Sequence, residues 1–320
     1  MGLGLLKNYA YPIGVDAGND VLKMAQLGND GTGVRLIACE SKTRPSHVEP
    51  GAGDWQRWAA AAITELRATG KFQGRNAVAA IPAKDVFVDH ITIPKAEAPI
   101  GTGRKLNEAV LSRIRHKLPF EPEDTMIKST NTIGDNFLVM AIERDKIDRH
   151  LAIYEKANLQ IKSIGIWPSA MTNSYVALFA ACDKGELHET VMLVSIEQES
   201  TNVVVCRHRN LLFAHCISTG AKQLDDEARV TRLVLELAAC RGKFEFMYGK
   251  VRVQRLLFLN NCRRADQYRN LFAAIAKQLE LPAKMGDCLA ALKKTDLSDL
   301  GSEGAEYSFN WTTALGLSLS

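Results

Sequence analysis

The stretch Ile13-Gly14-Val15-Asp16-Ala17-Gly18-Asn19-Asp20-Val21-Leu22-Lys23-Met24 decides how the rest of the chain is read. A short apolar run reaches an acid and a glycine, turns, and re-enters an extended, roughly alternating run. That pattern predicts a strand, a tight hairpin and a second strand. At such a turn the backbone N–H groups, Asn19 and the approaching Lys23 offer a seat for a phosphate, and Asp16 offers an anchor for a cation or water. Asp-x-Gly hairpins without a phosphate role are the commoner case. A second copy of the layout half a chain later gives the first one its weight.

Working outward, Asn29–Gly33 is a turn and Val34–Cys39 a third strand of a meander. Trp55, Trp58, Ala59, Ala62, Ile63 and Leu66 follow helical spacing, and Ala77–Ile81 is a short buried-type strand closed by Pro82. An insertion is expected next. Phe87–Ile93 is extended; Leu106, Val110, Ile114 and Leu118 mark one face of a helix that stops before Pro119; Thr125–Ile133 and Phe137–Ile142 pair across Gly134-Asp135. A helix capped by Asp145 and a strand at Gln160–Ile166 complete a β-α-β-β-α-β order, the split-βαβ pattern. A helix from Pro168 ends near Lys184-Gly185. Then the opening repeats: strands at Val191–Ile196, Thr201–Arg207 and Leu211–Ile217, a long helix from about Gln223 to Tyr248, a strand at Leu256–Leu259, a helix at Gln267–Leu279, a polar loop at Lys293–Gly304 and a last helix at Trp311–Leu319. The fold class expected is therefore α/β, with two duplicated lobes and an inserted subdomain in the first.

The chain resembles the actin-like, ribonuclease H-like superfold and, within it, the PilM-type proteins of type IV pilus assembly. Leu6-Lys7 and Pro12 through Lys23 are similar to that family's opening. Lys117-Leu118-Pro119-Phe120-Glu121-Pro122-Glu123-Asp124 is similar to its helix-ending run, and Ala314-Leu315-Gly316-Leu317 to its closing A-L-G-L. The resemblance implies a first lobe over 1–82 and 163–186, an inserted subdomain shared with FtsA over 83–162, and a second lobe over 187–320 with a reduced outer part. It also implies a cytoplasmic adaptor that docks the N-terminal tail of a bitopic inner-membrane protein of the PilN kind. Several members bind ATP between the lobes.

The first phosphate motif is in place, with Asp16, Gly18, Asn19 and Lys23 as its residues. The second departs from the family's D-I-G-x-x-x-T: here it reads Ser195-Ile196-Glu197-Gln198-Glu199-Ser200-Thr201, which replaces the acid by Ser195 and the glycine by Glu197. Two carboxylates, Glu197 and Glu199, facing a polyphosphate would repel it unless a metal screens them. The Gly-Gly turn of the third motif corresponds to Asn260-Asn261, whose side chains occupy space that glycine leaves open. The segment between Ser218 and Val253 is also shorter than in the family. The expectation is a vestigial nucleotide site in a non-catalytic scaffold that needs no cofactor. The alternative is a Mg-ATP-binding member whose nucleotide state switches partner binding, and a small-molecule kinase of the same superfold ranks last because no catalytic acid is identifiable.

For the partner, Arg113, Lys117, Pro119 and Phe120 are the candidate docking residues. Phe120 would supply apolar contact, and the basic face of the Arg104–Leu118 helix would pair acids or carbonyls. Cys206, His208, His215 and Cys216 have donors suited to zinc, but strand alternation sends adjacent His215 and Cys216 to opposite faces, so no metal is expected. Composition agrees with an ordinary globular chain. At 320 residues it exceeds one usual core. Its net charge of +4 comes without a long Lys/Arg block, and the Arg263-Arg264 patch near Arg269 and Lys277 has no interleaved aromatics, so nucleic acid is not an expected partner. Seven scattered cysteines without a CxxC pair fit a reducing cytoplasm. The opening residues are too short for a signal peptide and no apolar run spans a membrane, so contact with the membrane is expected only through partners. Self-association is left open by the sequence.

Overall fold

The computed structural model describes residues 9–31, 33–94, 103–180, 189–259, 265–292 and 310–320. The opening meander is β1 (Tyr9–Ala17), β2 (Val21–Asn29) and β3 (Val34–Thr43), followed by α1 (Gly53–Ala68) and β4 (Asn76–Ala80). Its counterpart is β9 (Thr190–Ile196), β10 (Thr201–Arg207) and β11 (Asn210–Ile217), followed by α5 (Glu227–Tyr248) and β12 (Arg255–Leu259). With β8 (Gln160–Gly165) and β13 (Ala283–Gly286) they build two five-stranded sheets, ordered β3-β2-β1-β4-β8 and β11-β10-β9-β12-β13. In each, the meander is antiparallel and the last two strands join in parallel. The same order twice is the duplication expected from sequence. β13 was not foreseen: it has four residues, three of them exposed, so it carries no periodic signal.

Between β4 and the rest of the first lobe lies β5 (Phe87–Thr92), α2 (Gly103–Ile114), β6 (Thr125–Asn131) and β7 (Asn136–Glu143), with an antiparallel sheet ordered β5-β7-β6. The predicted face of α2 is borne out: Val110 and Ile114 are buried against Ile91, Phe137, Val139 and Ala141, with Leu106 and Leu118 at the edge. The split-βαβ expectation needs correcting. β8 does not join this small sheet but pairs in parallel with β4, Ala77 opposite Ile161 and Ala80 opposite Gly165. The helix before it, α3 (Arg144–Lys156), buries Ile153 and Tyr154 in the same cluster as Trp55, Ile63 and Leu66 of α1. That burial draws α3 and β8 into the first lobe, so the small sheet has three strands and ends at β7. Asp145 does not cap α3; it lies in the first turn and pairs with Arg149.

The lobes meet along α4 (Trp167–Leu178) and α8 (Thr312–Ser318), with α7 (Cys288–Leu292) packed beside α4 and α6 (Ala265–Gln278) beside α5. The closing motif acts here by close approach. A Cβ on Gly316 would fall 1.8 Å from the Ala170 carbonyl oxygen of α4, and one on Gly14 would fall 2.0 Å from the Ala314 carbonyl oxygen. Only glycine lets these backbones touch. Leu315 and Leu317 are fully buried, each contributing about 2 kcal/mol of apolar transfer. The inserted sheet also touches the second lobe. His90 of β5 stacks on Phe213 of β11 at 4.3 Å, its Nε2 accepting from the Ala214 N–H at 3.3 Å, and Thr132 and Tyr248 hydroxyls lie 2.7 Å apart.

Candidate functional site: an interlobe cleft and an adjoining groove

The two hairpins bring their turns face to face across a cleft of 410 Å³. On the first side, β1 ends at Asp16-Ala17 and β2 starts at Val21. A Cβ on Gly18 would lie 2.9 Å from the Val21 carbonyl oxygen, which explains the glycine without invoking a ligand. The turn is pinned from outside by Arg44, whose Nε donates to the Asn19 carbonyl at 2.6 Å and whose guanidinium pairs with Asp20 at 2.9 Å.

Lys23 is the central residue. It is buried, directly opposite Asp16 in the β1–β2 register. Its ammonium lies 2.8 Å from Asp16 Oδ2, 2.8 Å from the Asn310 carbonyl oxygen and 3.8 Å from Glu197 Oε2. Burial works against its charge, but the carboxylates of Asp16 and Glu197 outweigh that, and its pKa is raised above the ordinary lysine value. Lys23 is thus a charged group that donates to Asp16 and the Asn310 carbonyl, with Glu197 near enough to add charge attraction but not a direct hydrogen bond.

On the second side the turn Glu197–Ser200 is equally built. The Ser195 hydroxyl donates to Glu197 Oε1 at 2.8 Å, and the Asn310 amide nitrogen lies 2.5 Å from Ser195 Oγ, 3.0 Å from Glu197 Oε1 and 2.7 Å from the Leu259 carbonyl oxygen. The turn carbonyls of Glu197 and Gln198 accept from the N–H groups of Ala221 and Lys222 at 2.8 and 3.0 Å. Gly220 makes this possible, because a Cβ there would sit 2.4 Å from the Ser200 nitrogen. At the mouth Lys222 reaches across to Asp20 at 2.6 Å and lies 3.4 Å from Glu199, while Lys84 approaches Glu199 at 3.7 Å. Three ion pairs, Lys23–Glu197, Lys222–Asp20 and Lys84–Glu199, therefore tie one lobe to the other.

Asp16, Gly18, Asn19 and Lys23 are brought together as the sequence implied. Arg44, Lys84, Lys222 and Asn310 were missed. Asn310 stands 287 positions from Lys23 in a polar stretch, with no local pattern to mark it. Asn260-Asn261, Arg263-Arg264 and the Lys293–Gly304 loop lie outside the described residues. Among the described residues no group of three or more His, Cys, Asp or Glu could hold a metal, and no helix is long and apolar enough to cross a membrane. Cys206 is fully buried, its thiol pushed up to about 12 by burial, and pairs with Leu211, whereas Cys216 is opposite Asn202 at the other end of the hairpin.

The docking residues divide. Pro119 and Phe120 line a groove of 730 Å³ between the inserted sheet, the first lobe and β11, with Val86, Phe87 and Val88 as its apolar floor. Its charged lining is Asp85, Glu121, Asp124 and Glu143 against Lys84 and Lys146. Lys117 and Arg113 are outside it: Lys117 pairs with Asp89 at 2.7 Å, and Arg113 donates to the Thr92 carbonyl at 3.1 Å. The groove and the cleft share Lys84, Val86 and Cys216 as a common wall.

Two duplicated lobes, each a meander with two parallel strands, closed around a cleft formed by paired hairpin turns, define a protein of the actin-like ATPase fold. The chain belongs to the family described as type IV pilus assembly protein PilM, whose model matches residues 14–238. The structure is similar to that of a PilM-PilN type IV pilus biogenesis complex (TM-score 0.72, 19% identity, 97% of this chain and 98% of that one). It is also similar to the cytoplasmic domain of EpsL, an inner-membrane component of the type II secretion system of Vibrio cholerae (0.50, 12%, 94% and 99%). A Bacteroides thetaiotaomicron protein with the actin-like ATPase fold matches over 92% of this chain and 100% of its own (0.50, 11%). No match is found among curated proteins.

Proposed function

We propose that this chain is a non-catalytic cytoplasmic adaptor in the inner-membrane platform of a type IV pilus or a type II secretion-like system. It docks the N-terminal cytoplasmic tail of a bitopic, PilN-like partner. The observation that carries the non-catalytic part is the engagement of the buried Lys23 by Asp16 and the Asn310 carbonyl at 2.8 Å each, with the Glu197 carboxylate at 3.8 Å. A polyphosphate would have to take the lysine from these partners while meeting Glu197 and Glu199. At about 4 Å, each like-charge pair costs on the order of 4 kcal/mol at the effective dielectric of a protein surface. The residues of the vestigial phosphate motif, Asp16, Gly18, Asn19 and Lys23, then serve to shape the hairpin and hold the lobes together.

The docking part rests on family membership and on the groove at Pro119-Phe120. Four carboxylates against two lysines along its lining favour a tail that pairs an apolar anchor with a basic residue. A docking face at Arg113 and Lys117 implies the opposite charge on the tail. The test is fluorescence anisotropy with a labelled tail peptide of the partner. Glu121→Lys, at an exposed position, and Phe120→Ala should each weaken binding about tenfold or more, with melting checked for Phe120→Ala because that ring also packs on the inserted sheet. Unchanged affinity in both would sink the groove assignment.

The nucleotide-switch reading has one observation in its favour, the wall shared by cleft and groove. It requires that Mg-ATP change the affinity for the tail peptide, which the same anisotropy assay reports.

A further inference from the structure

α5 is apolar on two opposite faces. Leu233, Leu237, Cys240, Phe244 and Tyr248 face the second-lobe core. The outer face carries Leu235, 60% exposed, and Phe246, 90% exposed, with Ala239 and Gly242 exposed between them. Spacings of four, three and four residues keep these on one stripe along the helix. Gly242 has no explanation within the chain. It sits in the interior of a 22-residue helix, where glycine is unfavourable relative to alanine, and a Cβ there would meet nothing within 4 Å. A glycine retained at an open helix position is what a close approach from outside requires.

The pattern is also symmetric. Leu235 and Phe246 lie equally far from the midpoint between Ala239 and Gly242. Glu236 and Lys243, seven residues apart and thus on the same flank, lie on either side of that midpoint. We infer that the outer face of α5 is a self-association surface on which a second copy of this chain packs its own α5 antiparallel, about a two-fold axis between Ala239 and Gly242. Phe246 of each copy then covers Leu235 of the other, the small residues meet at the centre, and Glu236 of each copy faces Lys243 of the other. The same patch serves both copies, as an isologous contact requires. Glu236 already pairs with Arg232 at 2.7 Å, which orients its carboxylate along this flank. A single helix pair is smaller than the interfaces of permanent dimers, so the association is weak and concentration-dependent.

Sedimentation velocity on the full chain over a micromolar concentration series tests this. The expected result is a shift from monomer to dimer with rising concentration. Phe246→Glu, and as a second variant Leu235→Lys, should abolish the shift without lowering the melting temperature, since both side chains are mostly in solvent. At low salt, Glu236→Lys and Lys243→Glu should each weaken dimerisation several-fold, and the double swap should restore it. A wild-type chain that stays monomeric at high micromolar concentration would overturn the proposal, as would a dimer indifferent to Phe246→Glu. Failure of the double swap to restore association would overturn the antiparallel register.

Discussion

Replacing Lys23 by methionine removes the positive charge from the centre of the cleft and keeps most of its volume. Asp16 and Glu197 then lose a cation at 2.8 and 3.8 Å, and the Asn310 carbonyl loses a donor at 2.8 Å. Breaking a fully buried pair by removing one partner costs about 3–5 kcal/mol. Here the carboxylate side chains retain 16% and 28% exposure to the cleft, so solvent offsets part of the loss. A cost of about 2 kcal/mol for the charges and about 1 kcal/mol for the orphaned carbonyl is expected. At about 2 °C per kcal/mol for a chain of this size, the melting temperature should fall by roughly 6 °C in calorimetry at neutral pH. A double-mutant cycle with Glu197→Gln should give a coupling of about 0.5–1 kcal/mol across the lobes, smaller than that with Asp16 because the distance is longer. The raised pKa of Lys23 adds a sign. A base whose folded value exceeds its unfolded one keeps its full contribution below the unfolded value of 10.5 and loses it only as pH rises through the folded value. The difference between wild type and variant should therefore not fade as pH is raised from 6 to 9. An unchanged or higher melting temperature for Lys23→Met would refute the idea that this lysine is committed to holding the cleft.

Other expectations follow from the same geometry. Burial, aided by the Lys243 charge, pushes His90 down to about 3, and burial pushes His150 down to about 4, both from 6.5. Their neutral forms are the folded ones, so stability is full above pH 6.5 and falls by up to about 1.4 kcal/mol per pH unit for each histidine as pH drops toward 4; urea titrations at pH 7 and pH 5 should show this, with His90→Gln removing about half of the slope. Gly316→Ala should cost 3 kcal/mol or more, on the order of the upper end for overpacking, because its Cβ would overlap the Ala170 carbonyl, and should reduce soluble yield. Lys222→Ala removes a pair whose lysine is half exposed; the expected loss is only about 0.5 kcal/mol and should vanish in high salt, as thermal melts at two ionic strengths would show.

Much of the architecture was legible because it is written in local pattern. The meander around Lys23 and its repeat at Val191–Ile217 both carry the strand alternation and turn residues that mark such elements. The α2 stripe named the face that is buried. Legibility failed where partners are distant or elements short. β8 reads as the natural end of the insertion, and its pairing with β4, together with the burial of Ile153 and Tyr154 on α1, assigns it to the first lobe. The cleft shows the same limit. Asp16 and Lys23 could be named from the hairpin, but Lys222 reaches Asp20 from 202 positions away and Asn310 reaches Lys23 from 287. The basic residues at the end of α2 and just beyond it mark neither the charge nor the place of the groove, since Lys117 is drawn to Asp89 and Arg113 to the Thr92 carbonyl.

Whether the cleft accepts a nucleotide separates a plain adaptor from a nucleotide-gated one. Calorimetric titration of the purified chain with Mg-ATP at near-physiological salt measures this directly. Neither heat nor thermal shift at millimolar nucleotide is predicted. Clear saturable binding, lost in Asp16→Ala, would contradict the account and make the protein a nucleotide-gated adaptor.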